Sequence, residues 1–148
     1  MPRLVVLAST SPFRRDLLAR LQIPFEVTAP DTDEAALPGE LPAGTARRLA
    51  EAKARAVAGR FPGALVIGSD QVAASEGERF GKPGTRANAA AQLRRMSGKE
   101  VVFHTGLCLL NTATDRAQVR CIDTHVGFRQ LDDAEIEAYL DKEDALNC

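Results

Sequence analysis

The run Ala64-Leu65-Val66-Ile67-Gly68 is apolar at every position and stops at Ser69-Asp70. A strand with one face in water alternates polar and apolar residues, because successive side chains point to opposite faces. A strand without that alternation has both faces covered. Covering both faces requires elements on either side of a sheet, which points to an α/β fold. The rest of the chain fits that frame. Leu4-Val5-Val6-Leu7-Ala8 is a second such run, ending at Ser9-Thr10-Ser11-Pro12 with Ser11 as helix N-cap and Pro12 at the first helical position. The helix that follows carries Leu17, Leu18 and Leu21 on one expected inward face and ends before Pro24. Phe25–Thr28 reads as a short strand, Ala29–Ala43 as a polar loop, and about Thr45 to Arg60 as a helix. Gly77 and Gly81-Lys82-Pro83-Gly84 bracket a turn, after which Arg86–Met96 reads as an Ala-rich helix. Two longer strands, about Val101–Leu110 and Val119–Arg129, form an expected antiparallel hairpin around Asn111–Arg116, and Asp132–Asp144 is a final acidic helix. The expectation is a mixed α/β sheet with flanking helices.

Composition bounds the function classes. The 148 residues fit one domain able to bury its own core. With 19 Lys plus Arg against 20 Asp plus Glu, the formal charge of -1 removes the bulk electrostatic argument for nucleic acid or an anionic membrane as partner. Six Phe and one Tyr are not interleaved with basic residues, which again argues against nucleic acid. The apolar runs are far shorter than a bilayer span, and Met1–Leu7 is too short for a signal peptide. Three Cys suit a reducing compartment better than a disulfide framework. A soluble cytoplasmic protein is expected.

Several charged residues sit where apolar ones are expected. Asp70 directly follows the buried run, at a strand end where α/β sheets collect ligands. A turn or helix-cap aspartate is the alternative. Arg14 shares a helix face with Leu17 and Leu18, and Lys53 lies between Leu49 and Val57 on an apolar stripe. Snorkelling of the charged heads to water would also explain both. The turn Ser9–Arg15 offers hydroxyls, helix N–H groups and guanidiniums, a set suited to phosphate but common in isolation. Lys82 is held in a tight turn, and Asp31, Asp33 and Glu34 offer the oxygen donors Mg²⁺ prefers, although a solvated loop fits them equally well. His104, Cys108, Cys121 and His125 have zinc-ligand chemistry on the two hairpin strands. With the turn centred between Thr114 and Asp115, His104 would oppose His125 and Cys108 would oppose Cys121. Those pairs would be roughly 13 Å apart along the strands, too far for one metal, so a zinc site is rejected.

Taken in order, these residues resemble the Maf family of nucleoside triphosphate pyrophosphatases over essentially the whole chain. Leu7-Ala8-Ser9-Thr10-Ser11-Pro12-Phe13-Arg14-Arg15 is similar to the family's opening signature. Asp33-Glu34, Ala50-x-x-Lys53-Ala54, Gly68-x-Asp70, Lys82-Pro83, Ser97-Gly98 and Thr105-Gly106 follow in the family's order. Pro12-Phe13-Arg14-Arg15 and Ser69-Asp70-Gln71-Val72 look most like the YceF branch, associated with 7-methyl-GTP. The branch acting on dTTP and UTP instead carries Arg at the position of Phe13 and Thr at that of Gln71.

The resemblance implies an inosine-triphosphate-pyrophosphatase-like fold, two lobes around a cleft, often as a homodimer. It implies hydrolysis of a nucleoside triphosphate, foremost 7-methyl-GTP, to the monophosphate and pyrophosphate, with a divalent cation, Mg²⁺ or alternatively Mn²⁺. A broader house-cleaning pyrophosphatase and a non-catalytic regulator of septum formation are the competing readings. Carried over by position, Asp70, Lys53 and Lys82 are the expected catalytic residues. Ser9, Arg14, Phe13 and Gln71 are expected to bind substrate, and Glu34 with Asp70 to hold the metal. Related chains continue past the acidic helix with a Gly-rich segment and a further helix, so the resemblance also implies a C-terminally incomplete domain over residues 1–148.

Overall fold

The computed structural model describes residues 3–81 and 83–142. Among them the chain runs β1 (Val5–Ala8), α1 (Pro12–Ala19), β2 (Glu26–Thr28), α2 (Pro42–Ala58), β3 (Leu65–Ser75), β4 (Glu78–Phe80), α3 (Arg86–Met96), β5 (Glu100–Asn111), β6 (Arg116–Gly127) and α4 (Asp133–Lys142). The sheet has the order β2-β1-β3-β5-β6, with β4 paired to β3. β1 is parallel to both β2 and β3, and β4 is antiparallel to β3. The expected mixed α/β sheet is present. No helix among the described residues is long and apolar enough to cross a membrane.

The chain divides into two compact units, Met1–Gln71 with His104–Ile122 and Val72–Phe103 with Asp123–Cys148. In the first, α2 covers β1, β3 and β5 through Ala50, Ala54 and Val57, which pack with Val6, Ala8, Val66, Cys108 and Leu110. The approach is unusually close. A Cβ on Gly68 would lie 2.0 Å from the Ala50 carbonyl oxygen, and one on Gly106 would lie 2.1 Å from that of Ala46. Gly68 and Gly106 on the strands, against Ala46, Ala50 and Ala54 on the helix, therefore bring backbone onto backbone. In the second unit, Ala73, Phe80, Met96 and Val101 form a smaller core. There α3 and α4 are tied by Arg86 to Glu137 and Asp141, and by Arg94 to Asp133.

Three expectations require correction. α1 ends at Ala19, short of Leu21, and its expected inward face is not the one that packs: Leu17 is exposed, and the N-cap Ser11 with Arg14 and Leu18 forms the half-buried stripe. The i, i+3 and i+7 spacing of Ser11, Arg14 and Leu18 defines a face as well as the leucines do, and contacts chose it. The strand through Asp70 runs on to Ser75 and returns as β4, with Glu76 and Gly77 at positive φ in the two-residue hairpin turn. The β5–β6 turn is Thr112–Asp115, centred earlier than expected. Thr112 Oγ1 donates to the carbonyls of Phe61 and Ala64, and the Ala113 N–H donates to Asn111 Oδ1, which pin the turn directly after Asn111. The ligand atoms of His104 and Cys121 lie within 4.8 Å of each other, and His125 bonds Glu100 rather than His104.

Candidate active site

Four charged side chains from four segments of the first unit converge. β3 carries Asp70 just beyond its ladder with β1, which runs from Val5↔Leu65 to Ala8↔Gly68. Because Gly68 faces α2, strand alternation turns Asp70 to the same side. There the Lys53 Nζ donates to Asp70 Oδ1 at 3.0 Å. The same ammonium lies 2.9 Å from Glu34 Oε1, which the loop between β2 and α2 supplies. Lys53 and Asp70 are buried, whereas the Glu34 side chain is largely exposed. Arg14 completes the group from the first turn of α1. Burial pulls its guanidinium below the ordinary value, and the charges of Asp70 and Glu34 oppose that shift.

Two cations and two carboxylates are thus held together at a strand end. A buried ion pair is a weak source of stability, because desolvation offsets most of the attraction. Its retention beside a partly open carboxylate fits a site whose charges await an ionic ligand. Both carboxylates aim at one point, now held by the Lys53 ammonium. Hard oxygen donors converging in this way fit a divalent cation such as Mg²⁺.

Ser9 is buried at the end of β1. Its N–H donates to the Thr28 carbonyl, and its Oγ accepts from the Ser11 N–H at 3.0 Å. Ser11 in turn accepts from the Arg14 N–H as the expected N-cap, with Pro12 in the first turn. This ordered strand-to-helix turn presents Arg14 at a helix N-terminus. Phe13 is 48% exposed, on the outer side of the same turn. Gln71 is not brought to the quartet: one residue past Asp70, it faces the opposite side of β3, where its Nε2 donates to Thr105 Oγ1 at 3.2 Å. Lys82 lies outside the described residues.

Sequence reasoning missed a second polar cluster beside this site. Glu40, ahead of α2, accepts from Arg48 Nε at 2.7 Å, from Arg48 Nη2 at 3.1 Å and from Thr45 Oγ1 at 2.6 Å. The Arg48 bonds foremost, then that of Thr45, hold the Glu40 carboxyl down to about 2. No short-range spacing rule joins residues 40 and 48, because their contact depends on the loop folding back onto the helix.

A family model described as Maf-like protein matches residues 4–148. The chain belongs to the Maf family. Among Maf relatives, a 7-methyl-GTP pyrophosphatase of Aromatoleum aromaticum is 59% identical over 146 residues, covering 97% of this chain and 74% of that protein. A 7-methyl-GTP pyrophosphatase of Albidiferax ferrireducens is 56% identical over 146 residues, covering 99% and 73%. The structure also resembles a HAM1 protein from Coxiella burnetii, with a TM-score of 0.55 at 17% identity over 85% of this chain and 73% of that one. At that identity the likeness concerns the fold alone. It agrees with the expected inosine-triphosphate-pyrophosphatase-like architecture.

Proposed function

We propose that this Maf protein is a pyrophosphatase that hydrolyses 7-methyl-GTP between its α- and β-phosphates, giving 7-methyl-GMP and pyrophosphate in the cytoplasm. The observation that carries the reading is the Arg14–Glu34–Lys53–Asp70 quartet, in a chain 53–59% identical to relatives named for that reaction. Arg14 and Lys53 supply charge to the phosphate oxygens, on which negative charge builds as the anhydride bond breaks. Lys82 is assigned the same role by its position in the family pattern. When substrate arrives, its phosphates compete for the Lys53 ammonium, and Asp70 is released to orient the attacking water and take its proton. Glu34 and Asp70 would hold a divalent cation, which when bound supplies Lewis-acid stabilisation of phosphate oxygens. Ser9 and the α1 N-terminus hold the phosphate chain in register. The exposed ring of Phe13 stacks on the base, whose N7 methyl group makes it cationic and so favours an aromatic face over an arginine.

The test is pyrophosphate release with Mg²⁺ across a nucleotide panel including 7-methyl-GTP, GTP, UTP and dTTP. The wild type is expected to favour 7-methyl-GTP. Asp70→Asn is expected to lose about 10²–10⁴-fold in turnover, the size of a general-base contribution, while still binding nucleotide. Near-wild-type turnover in that variant would remove Asp70 from the chemistry. Equal rates on non-methylated nucleotides would favour the broader house-cleaning activity.

A further inference from the structure

Glu34 sits in a stretch without helix or strand, between the end of β2 at Thr28 and the start of α2 at Pro42. Ordering such a loop costs entropy at every residue, so a carboxylate held 2.9 Å from Lys53 needs an anchor. Arg48, on the same helix as Lys53, provides one. Its Nε and Nη2 donate to the two carboxylate oxygens of Glu40 at 2.7 and 3.1 Å. Its Nη2 also donates to the Ala35 carbonyl at 2.9 Å, one residue from Glu34. The Ala35 N–H donates to Asp33 Oδ1, so both polar groups of that backbone unit are engaged. Glu40 in turn accepts from the buried Thr45 hydroxyl in the first turn of α2 and from the Leu37 N–H.

We propose that Arg48 and Glu40 are positioning residues: their forked pair binds the loop to α2, and the Arg48 contact with the Ala35 carbonyl sets the Glu34 carboxylate against Lys53. The proposal rests on the reading of Glu34, Lys53 and Asp70 as the pyrophosphatase site. Arginine is required, because one planar head serves three acceptors from two directions. A lysine ammonium at the end of a flexible stem would serve one end of the clamp and leave the other open.

The experiment combines amide hydrogen exchange over residues 31–41 with kcat and KM on 7-methyl-GTP. It uses the wild type, Arg48→Lys, Arg48→Met, Glu40→Gln, Glu34→Gln and the double variant Glu34→Gln/Arg48→Met. Arg48→Met is expected to speed exchange in the loop about tenfold or more, the size of losing a charge-assisted hydrogen bond. Arg48→Lys and Glu40→Gln should fall between it and the wild type. The activity loss is expected in kcat/KM, and the double variant should be no slower than Glu34→Gln alone, because Arg48 acts through Glu34. Unchanged loop exchange in both Arg48 variants would overturn the clamp whatever the activity. Losses that multiply in the double variant would show that Arg48 does not act through Glu34, and would overturn the positioning role. A wild type inactive on every nucleotide would instead overturn the pyrophosphatase reading, and the exchange rates alone would then decide whether the clamp exists.

Discussion

Gly68→Ala inserts one carbon between β3 and α2, and its consequence can be worked from the spacing. The added Cβ would sit 2.0 Å from the Ala50 carbonyl oxygen and 2.8 Å from the Ala54 nitrogen, both backbone atoms that no side-chain rotation can move. Restoring an ordinary 3.4 Å contact requires strand and helix to part by more than an ångström. Overpacking of this kind costs about 1–3 kcal/mol, and a backbone clash belongs at the upper end. For a chain of this size each kcal/mol lowers Tm by about 2–4 °C, so a fall of about 6–12 °C is expected by calorimetry. The same displacement carries Lys53 away from Asp70, whose bond is 3.0 Å. A shift of about 1 Å at a reacting centre costs about 10²-fold in kcat/KM. Gly59→Ala is the control: it ends the same helix with φ -64, and a Cβ there meets nothing within 4 Å. That variant should be neutral or slightly more stable. Gly68→Ala with wild-type Tm and activity would refute the claim that backbone contact sets the site. A lowered Tm with full activity well below the transition would separate the packing argument from the site argument.

Two further outcomes are expected, the first from the proposed substrate and the second from the Glu40 contacts. Phe13→Arg should shift preference away from 7-methyl-GTP towards UTP and dTTP in a competition assay, because it replaces a stacking face with a charge that repels a cationic base; an unchanged ranking would leave Phe13 without a role in base choice. Glu40, whose carboxyl is depressed to about 2 from the ordinary 4.5, contributes stability that is fully present above about pH 4.5 and is lost as pH falls through about 2. The urea midpoint of the wild type should therefore drop across that window, and the drop should be smaller in Glu40→Gln.

Much of the fold was legible because the covering of a strand is written in its composition. The unbroken apolar runs ending at Ala8 and Gly68 became parallel neighbours in the sheet, and Ser11-Pro12 capped α1 as its chemistry requires. Asp70 and Lys53 were singled out as charges in apolar surroundings, and they bond each other. The α1 face, β4 and the hairpin register were not legible in the same way. Each turned on which of several locally acceptable contacts the surrounding chain allowed. Thr112 pinned the β5–β6 turn through carbonyls of Phe61 and Ala64, about fifty residues away in sequence.

By itself, then, the sequence determined the element types, the mixed sheet, the family and three of the four charges at the strand end as outliers from their pattern. Local periodicity and capping act within a few residues, so they can be read from a linear string. Only the tertiary structure decided that Glu34, one of four acidic residues between β2 and α2, is the one that pairs with Lys53. It also decided that Gln71 faces away from the quartet and that Arg48 and Glu40 hold the loop in place. Those outcomes depend on how near α2 can come to the sheet, and that distance is set by glycines and alanines whose contribution is the absence of atoms.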